Sequence, residues 1–433
     1  MERALLRALR RSRCRTSRRV VVAKGSTTLR GIRGAALVNG KVLDDVLIGI
    51  DPSGLGTIAS VARARSGSAL ASRARRVEGL IIPGYVDVHL HGAGGHDVLG
   101  PGGAHELLMW ARGVRNAERD IVASLRALAV ETAKHGYAAI TPAAVSLPLE
   151  SLRLWVRAVS VARAEQGEDL QRGRARDEAI ILGANSEGPA ISHARKGAHD
   201  PTVLINPAEL LRALDDRPND WSALRIVTVA PELKGGEELV RALTKRKIVT
   251  SVGHSTATLD QANAAWAAGA TSTTHLCNGM DPFHHRTPGL VGAALAHRSA
   301  RVELICDGVH VESNVVKLLA DILGNRLMVV SDACPVAGLG DGDFMLGSMP
   351  ARVKGAHATL RDGTLVGAVS LVDVGVQNLV AFGVALPAAV AAATKTPADL
   401  LRTPQLGRIA VGAAARLSTI DPVSGALRGR VSF

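Results

Sequence analysis

The stretch Leu80-Ile81-Ile82-Pro83-Gly84-Tyr85-Val86-Asp87-Val88-His89-Leu90-His91 decides how the rest of the chain is read. It is an apolar run that ends in two histidines two residues apart. Side chains along a strand alternate between faces, so Asp87, His89 and His91 share one face while Val86, Val88 and Leu90 take the other. Polar groups on an inner face without partners cost on the order of a few kcal/mol each. Metal ligation therefore explains the pair better than two hydrogen-bonded core histidines.

From Leu80 onward the chain alternates apolar runs with Ala-, Leu- and Arg-rich helical stretches. The spacing predicts eight strands: Leu80–His91, Ala138–Val145, Ala179–Ala184, Leu224–Val229, Ile248–Gly253, Thr271–His275, Val302–Cys306 and Leu327–Ser331. Helices are expected between most of them, for example over Leu149–Glu165, Pro207–Leu214, Glu237–Lys245, Leu259–Ala268 and Ser313–Leu323. Strands alternating with helices argue for a parallel sheet, and eight such units for a closed barrel. Short Val/Ile/Leu runs precede it (Ala35–Val38, Val46–Ile50, Thr57–Val61), and similar pieces follow it (Gly407–Val411, Ala415–Ile420, Arg430–Phe433). The fold class is α/β: a (β/α)8 TIM-type barrel over residues 81–400, with a small β-sandwich domain built from both chain ends, 34–80 and 401–433.

The chain has 433 residues, and 47% of them are hydrophobic, enough for a large domain and a smaller one. The formal charge of +13 suggests a nucleic-acid partner until it is located. Residues 1–33 hold eleven Lys or Arg and one acid, Glu2, so the remaining 400 residues carry only about +3. That segment reads as a basic, disordered extension or as an upstream start, not as a nucleic-acid module. Arg18-Arg19 precedes too few apolar residues for an export signal. Cys14, Cys277, Cys306 and Cys334 show no paired spacing, which fits reduced thiols in a cytoplasmic protein. Val374–Thr394 is uncharged, but Gly383 and Pro387 divide it into two helices, and no membrane span is expected.

Chemistry in an α/β barrel sits at the C-terminal ends of the strands. His91, Glu187, His254, His275 and Asp332 all fall at or just after such ends. Imidazole and carboxylate hold divalent first-row metals while leaving a position open for water. A metal brings the pKa of a water near neutrality, and a carboxylate such as Asp332 can take its proton and return it to a leaving amine. His199, His310 and Arg286 lie in loops; neutral imidazole can polarise a carbonyl or bind sugar hydroxyls, and Arg suits a phosphate. His284 and His285 read as exposed loop. Gly92–Gly95 lacks the spacing of a phosphate-binding fingerprint.

Taken together, these segments resemble the N-acetylglucosamine-6-phosphate deacetylase family of the amidohydrolase superfamily. The matching pieces are residues 83–95, Glu-Gly-Pro (187–189) with Lys-Gly-Ala-His (196–199), and Val-Ala-Pro-Glu (229–232). They continue with Gly-His-Ser (253–255), Thr-His-Leu-Cys-Asn-Gly-Met (274–280), Arg-Thr-Pro-Gly-Leu (286–290), Asp-Gly-Val-His-Val (307–311) and Ser-Asp-Ala (331–333). The resemblance implies a metal-dependent hydrolase that takes acetate from an amino-sugar 6-phosphate. Glu187, His254 and His275 would hold the main metal, and His89 and His91 a second, with one or two divalent ions, zinc or iron, per subunit. Asp332 would be the catalytic acid/base, and His199 would polarise the acetamide carbonyl. The sugar contacts would include Ala198, His199, Asn278, Gly279, Asp307, His310, Leu365, Val366 and Gly367, with Arg286 on the 6-phosphate. That Arg can reach across a subunit interface in the family, so a homodimer is implied, with neither nucleic acid nor membrane as partner. The family usually has His-Leu where Asn185-Ser186 stand, an aromatic at Cys277, Ala at Gly279 and Asp at Arg416. An N-acetylgalactosamine 6-phosphate or other N-acyl substrate, or a catalytically silent sugar-phosphate binder, are the alternatives.

Overall fold

The computed structural model describes residues 29–53, 56–64, 69–175, 177–346 and 349–432. Eight parallel strands form the barrel, in the spatial order of the chain: Tyr85–Leu90, Tyr137–Ala144, Ala184–Glu187, Leu224–Val229, Val249–Val252, Ser272–Thr273, Arg301–Ile305 and Leu327–Val330. The first and last strands meet beyond their ends. The Asp332 N–H donates to the His89 carbonyl at 2.9 Å, and the His91 N–H donates to the Ala333 carbonyl at 2.8 Å. Asp87 adds a side-chain link, accepting from Ser331 Oγ at 2.5 Å.

Apolar runs produce these strands because both sheet faces are covered. The helices between them carry their own stop and start signals. Leu259–Ala268 opens on a Thr258/Gln261 capping box and closes on a left-handed Gly269. Pro207–Asp216 opens on an Asn206/Glu209 box. The uncharged stretch divides as expected, into helices Val372–Ala381 and Leu386–Ala392. No helix among the described residues is long and apolar enough to cross a membrane.

Four sequence expectations need correction. The run Leu80–His91 is two strands: Arg75–Pro83 belongs to the satellite sheet, and the chain enters the barrel at Gly84. Gly84 passes so close to the second barrel strand that a Cβ there would meet the Ala138 Cβ at 2.9 Å. Arg30–Arg33, read as part of the basic extension, lie in the strand Arg30–Val38; residues 1–28, with Cys14, are outside the described residues. The tail strands are Leu417–Ile420 and Leu427–Arg430, and Gly407–Val411 is irregular. A three-stranded antiparallel sheet (Gly342–Leu346, Met349–Lys354, His357–Leu360) follows the last barrel strand, where none was expected.

Both chain ends do build one satellite unit. Its strands are hydrogen-bonded in the order Leu427–Arg430, Leu417–Ile420, Arg75–Pro83, Arg30–Val38, Lys41–Asp51, Thr57–Arg63. The last of these bonds on to the tail, with the Ile58 N–H on the Ala413 carbonyl at 2.8 Å. The sheet thus curls around a core that includes Ile32, Ile48, Ile58, Ile81 and Leu417.

Candidate metal centre

Seven polar side chains converge where the barrel strands end. His89 lies in the first strand, His91 stands one residue beyond it, and Glu187 ends the third. His254, His275 and Asp332 each stand two residues beyond the fifth, sixth and eighth strands, and His199 comes from the loop after the third. All are buried except His91, which is partly so.

The Glu187 carboxylate is the hub. Its Oε1 lies 2.7 Å from His275 Nε2, 3.0 Å from His254 Nε2 and 3.4 Å from His89 Nε2. Its Oε2 lies 3.2 Å from His91 Nε2 and 3.4 Å from His199 Nε2. Asp332 Oδ1 completes the cluster, 3.1 Å from His91 Nε2. Backbone geometry is bent to allow this: His254 and Asp332 have φ of +47° and +50°. That left-handed conformation costs a non-glycine residue roughly 1–2 kcal/mol and persists only where its surroundings impose it. At Asp332 the imposition is visible, because its N–H and carbonyl bond to His89 and Ala368.

In four of the five rings a partner on the far nitrogen fixes whether the other faces the cluster as a lone pair or as an N–H; His275 Nδ1 has no such partner. His254 Nδ1 lies 2.7 Å from the Arg195 carbonyl, and His91 Nδ1 lies 2.8 Å from that of Ala143. His89 Nδ1 lies 3.0 Å from Glu303 Oε2. A carbonyl or carboxylate only accepts, so in these rings Nδ1 carries the proton and Nε2 offers a lone pair, as a ligand must. His199 is the reverse. Its Nδ1 accepts the Ser146 N–H at 3.0 Å, so the neutral ring carries its proton on Nε2. Burial, the largest influence, pushes His199 down to about 4 against the pull of Glu187, so the ring is neutral at neutral pH. His199 is thus a hydrogen-bond donor standing among candidate ligands.

The arrangement fits a divalent cation. The lone pairs of His89, His91 and His254 face carboxylate oxygens, and three groups of His, Glu and Asp bring their donor atoms within 4.8 Å of one another. His89 Nε2 has no hydrogen-bond partner. With no cation the cluster draws in protons instead: burial pushes His91 down, yet Asp332 and Glu187 reverse this and raise it to about 10. Burial would raise the Asp332 carboxyl, but the bond to His91 and the charges of His89, His91 and His275 hold it at about 2.

Sequence reasoning missed Glu303. It is the single acid inside the strand Arg301–Ile305 and is fully buried. An acid flanked by Val302 and Leu304, on a strand between two that lead to site residues, is the signal that could have found it.

The remaining residues fall into two groups. Gly279 packs on the His254 ring, where a Cβ would come within 2.7 Å of Nδ1, and its carbonyl accepts the Ser255 N–H. Gly367 packs on the Asp332 carbonyl, and Val366 bonds to Ala358 of the inserted sheet beside Leu365. Ala198 is half-buried next to His199. His310 and Asp307 form a pair of their own at 2.7 Å, and Asn278 folds back on the His275 and Leu276 carbonyls. Arg286 is not drawn into the cluster; it stands exposed, without an acid partner among the described residues. Asn185 donates to the Val88 carbonyl at 3.0 Å, tying the strand of Glu187 to that of His89.

No protein-family model matches the chain. Among curated relatives, N-acetylgalactosamine-6-phosphate deacetylase of Escherichia coli O157:H7 is 31% identical over 79% of this chain and 84% of its own. N-acetylglucosamine-6-phosphate deacetylase of Homo sapiens is 33% identical over 74% of each chain. Two solved structures share the fold over almost the whole chain. A mutant of N-acetyl-D-glucosamine-6-phosphate deacetylase from Mycobacterium smegmatis, in complex with N-acetyl-D-glucosamine-6-phosphate, superposes with a TM-score of 0.76 at 27% identity, over 93% of this chain and 98% of that one. The Thermotoga maritima N-acetylglucosamine-6-phosphate deacetylase gives 0.74 at 28%, over 92% and 99%. With the cluster at the barrel mouth and these relatives, the chain belongs to the N-acetylglucosamine-6-phosphate deacetylase family.

Proposed function

We propose that the protein hydrolyses N-acetyl-D-glucosamine 6-phosphate to D-glucosamine 6-phosphate and acetate, in amino-sugar catabolism or recycling. The observation that carries this reading is the ordering of tautomers at the barrel mouth: the far-side partners of His89, His91 and His254 leave Nε2 lone pairs facing in, whereas that of His199 leaves an N–H. Glu187, His254 and His275, with His89 and His91, would hold one or two divalent ions, zinc or iron. When bound, such an ion polarises the acyl carbonyl and acidifies the attacking water.

The chain supplies the rest. His199 donates its Nε2–H to the acyl oxygen as negative charge develops there. Asp332, ionised at neutral pH, takes a proton from the attacking water and returns it to the departing amine. His310, its Nδ1 bonded to Asp307, keeps Nε2 for a sugar hydroxyl. Ala198, Asn278, Gly279, Leu365, Val366 and Gly367 line the sugar, and Arg286 takes the 6-phosphate.

A homodimer in the cytoplasm completes the reading. The exposed Arg286 guanidinium is free for a substrate held jointly with a second subunit. The helix Ser313–Leu323 exposes Val315, Leu318 and Ile322 on one face, an apolar stripe that a second copy could cover. Cys277, Cys306 and Cys334 are free thiols.

The galacto epimer is the second reading, favoured by the likeness to the Escherichia coli O157:H7 enzyme. Acetate release from the two sugar phosphates, compared by kcat/KM, tests the choice. Preference for the galacto substrate reassigns the specificity, and release from neither overturns the function.

A further inference from the structure

The mechanism leaves one buried ionisable group unused: Glu303. Its strand neighbours Val302, Leu304 and Ile305 are buried and apolar, and no Lys or Arg among the described residues pairs with it, only the His89 ring. Burying a carboxylate this way costs free energy that its hydrogen bonds must offset.

Those bonds converge on two of the site's histidines. Oε2 lies 3.0 Å from His89 Nδ1 and accepts the His275 N–H at 3.3 Å. The Glu303 carbonyl accepts the next N–H, that of Leu276, at 2.8 Å. One residue therefore grips the turn that carries His275 and the ring of His89, which come from different strands. His89 has no other side-chain or backbone group on Nδ1, whereas His91 and His254 use backbone carbonyls there.

We propose that Glu303 is a positioning residue of the metal centre. By accepting from Nδ1 it keeps the His89 proton off Nε2, aims that lone pair at the cluster, and fixes His275 relative to it. A carboxylate behind a ligating imidazole also raises the basicity of the ring, and losing such a partner typically weakens metal binding about ten- to a hundredfold. The proposal rests on the reading of His89 as a metal ligand.

The test measures zinc affinity of the metal-stripped full chain by competition with a chromophoric chelator, so its readout is independent of activity. Three versions of position 303 are compared: Glu, Glu303→Gln, which keeps an acceptor, and Glu303→Leu, which fills the space without one. Each is made in the natural chain and in a His89→Ala background. The expected result is a ten- to hundredfold loss for Leu, a loss of less than about threefold for Gln, and a clearly smaller loss for Leu once His89 is gone, since only the grip on His275 then remains. If the Leu variant does not fold, Glu303→Asp, which retracts the acceptor by one methylene, takes its place with the same expected direction. Affinity unchanged in Glu303→Leu or Glu303→Asp overturns the proposal, as does a loss of undiminished size in the His89→Ala background. An affinity unaltered by His89→Ala alone refutes the ligand reading itself, a separate outcome.

Discussion

The Nδ1 of His199 accepts the Ser146 N–H at 3.0 Å, which leaves the neutral His199 ring with its proton pointing into the cluster. His254, whose ring centroid is 4.7 Å away, has the opposite polarity because its Nδ1 faces the Arg195 carbonyl. Two histidines in edge contact are thereby assigned different chemistry by backbone groups.

This difference predicts a split between two substitutions. His199→Leu should lower kcat about 10²–10³-fold, the usual effect of deleting one oxyanion donor, with metal content unchanged. His254→Leu should lower metal content as well. Metal analysis alongside acetate release checks both, and metal loss in His199→Leu would move that residue into the ligand set.

Asp332→Asn should reduce kcat by about 10²–10⁴-fold, the usual contribution of a positioned acid/base, while bound metal is largely retained. The amide preserves shape and takes no proton. Near-normal turnover in this variant would sink the assignment of Asp332.

Arg286→Ala should raise KM roughly tenfold or more and leave kcat within a few-fold, since a charge-assisted bond to a phosphate contributes roughly 1.5–3 kcal/mol of binding. Steady-state kinetics with the phosphorylated and unphosphorylated sugar separate the outcomes. The loss should be confined to the phosphorylated substrate; an equal loss on both removes Arg286 from phosphate recognition.

Away from the site, His135 Nδ1 lies 3.1 Å from Asp373 Oδ2, joining the end of helix Glu118–Lys134 to the start of Val372–Ala381. The bond to Asp373 raises the His135 pKa, burial opposing it. A raised folded-state value means the stabilisation is fully present below the unfolded value of about 6.5 and is lost as pH rises through the folded one. Because the side chain is about one-third exposed, His135→Gln should cost only about 0.5–1 kcal/mol at pH 6. Denaturant titrations should show that gap closing by pH 9; a constant gap would point to packing instead.

Much of this architecture is legible in the sequence because a barrel strand covered on both faces is an apolar run, and Leu224–Val229 stands where its residues place it. Leu80–His91 misleads for the same reason, since both sheets it serves want apolar residues and only the close approach at Gly84 marks the passage between them. The insertion at 342–360 escapes notice because its short strands mix exposed and buried positions with no long apolar run. In the site, His91, Glu187, His254, His275 and Asp332 are readable from their positions at or just beyond strand ends. The ring polarities are not, because Ser146, Arg195 and Ala143 act through backbone groups that any residue could supply. Glu303 sits mid-strand and not at a strand end, so only the break it makes between Val302 and Leu304 marks it.

The account stands or falls on whether a divalent ion in this cluster drives acetate release. The direct measurement is deacetylation of N-acetylglucosamine 6-phosphate by the purified chain, stripped with a chelator and then titrated with zinc or iron(II). The account predicts no acetate from the stripped protein and recovery that saturates at one or two equivalents per subunit. Release that is indifferent to stripping, or no release at any loading by protein that demonstrably binds the ion, would contradict it.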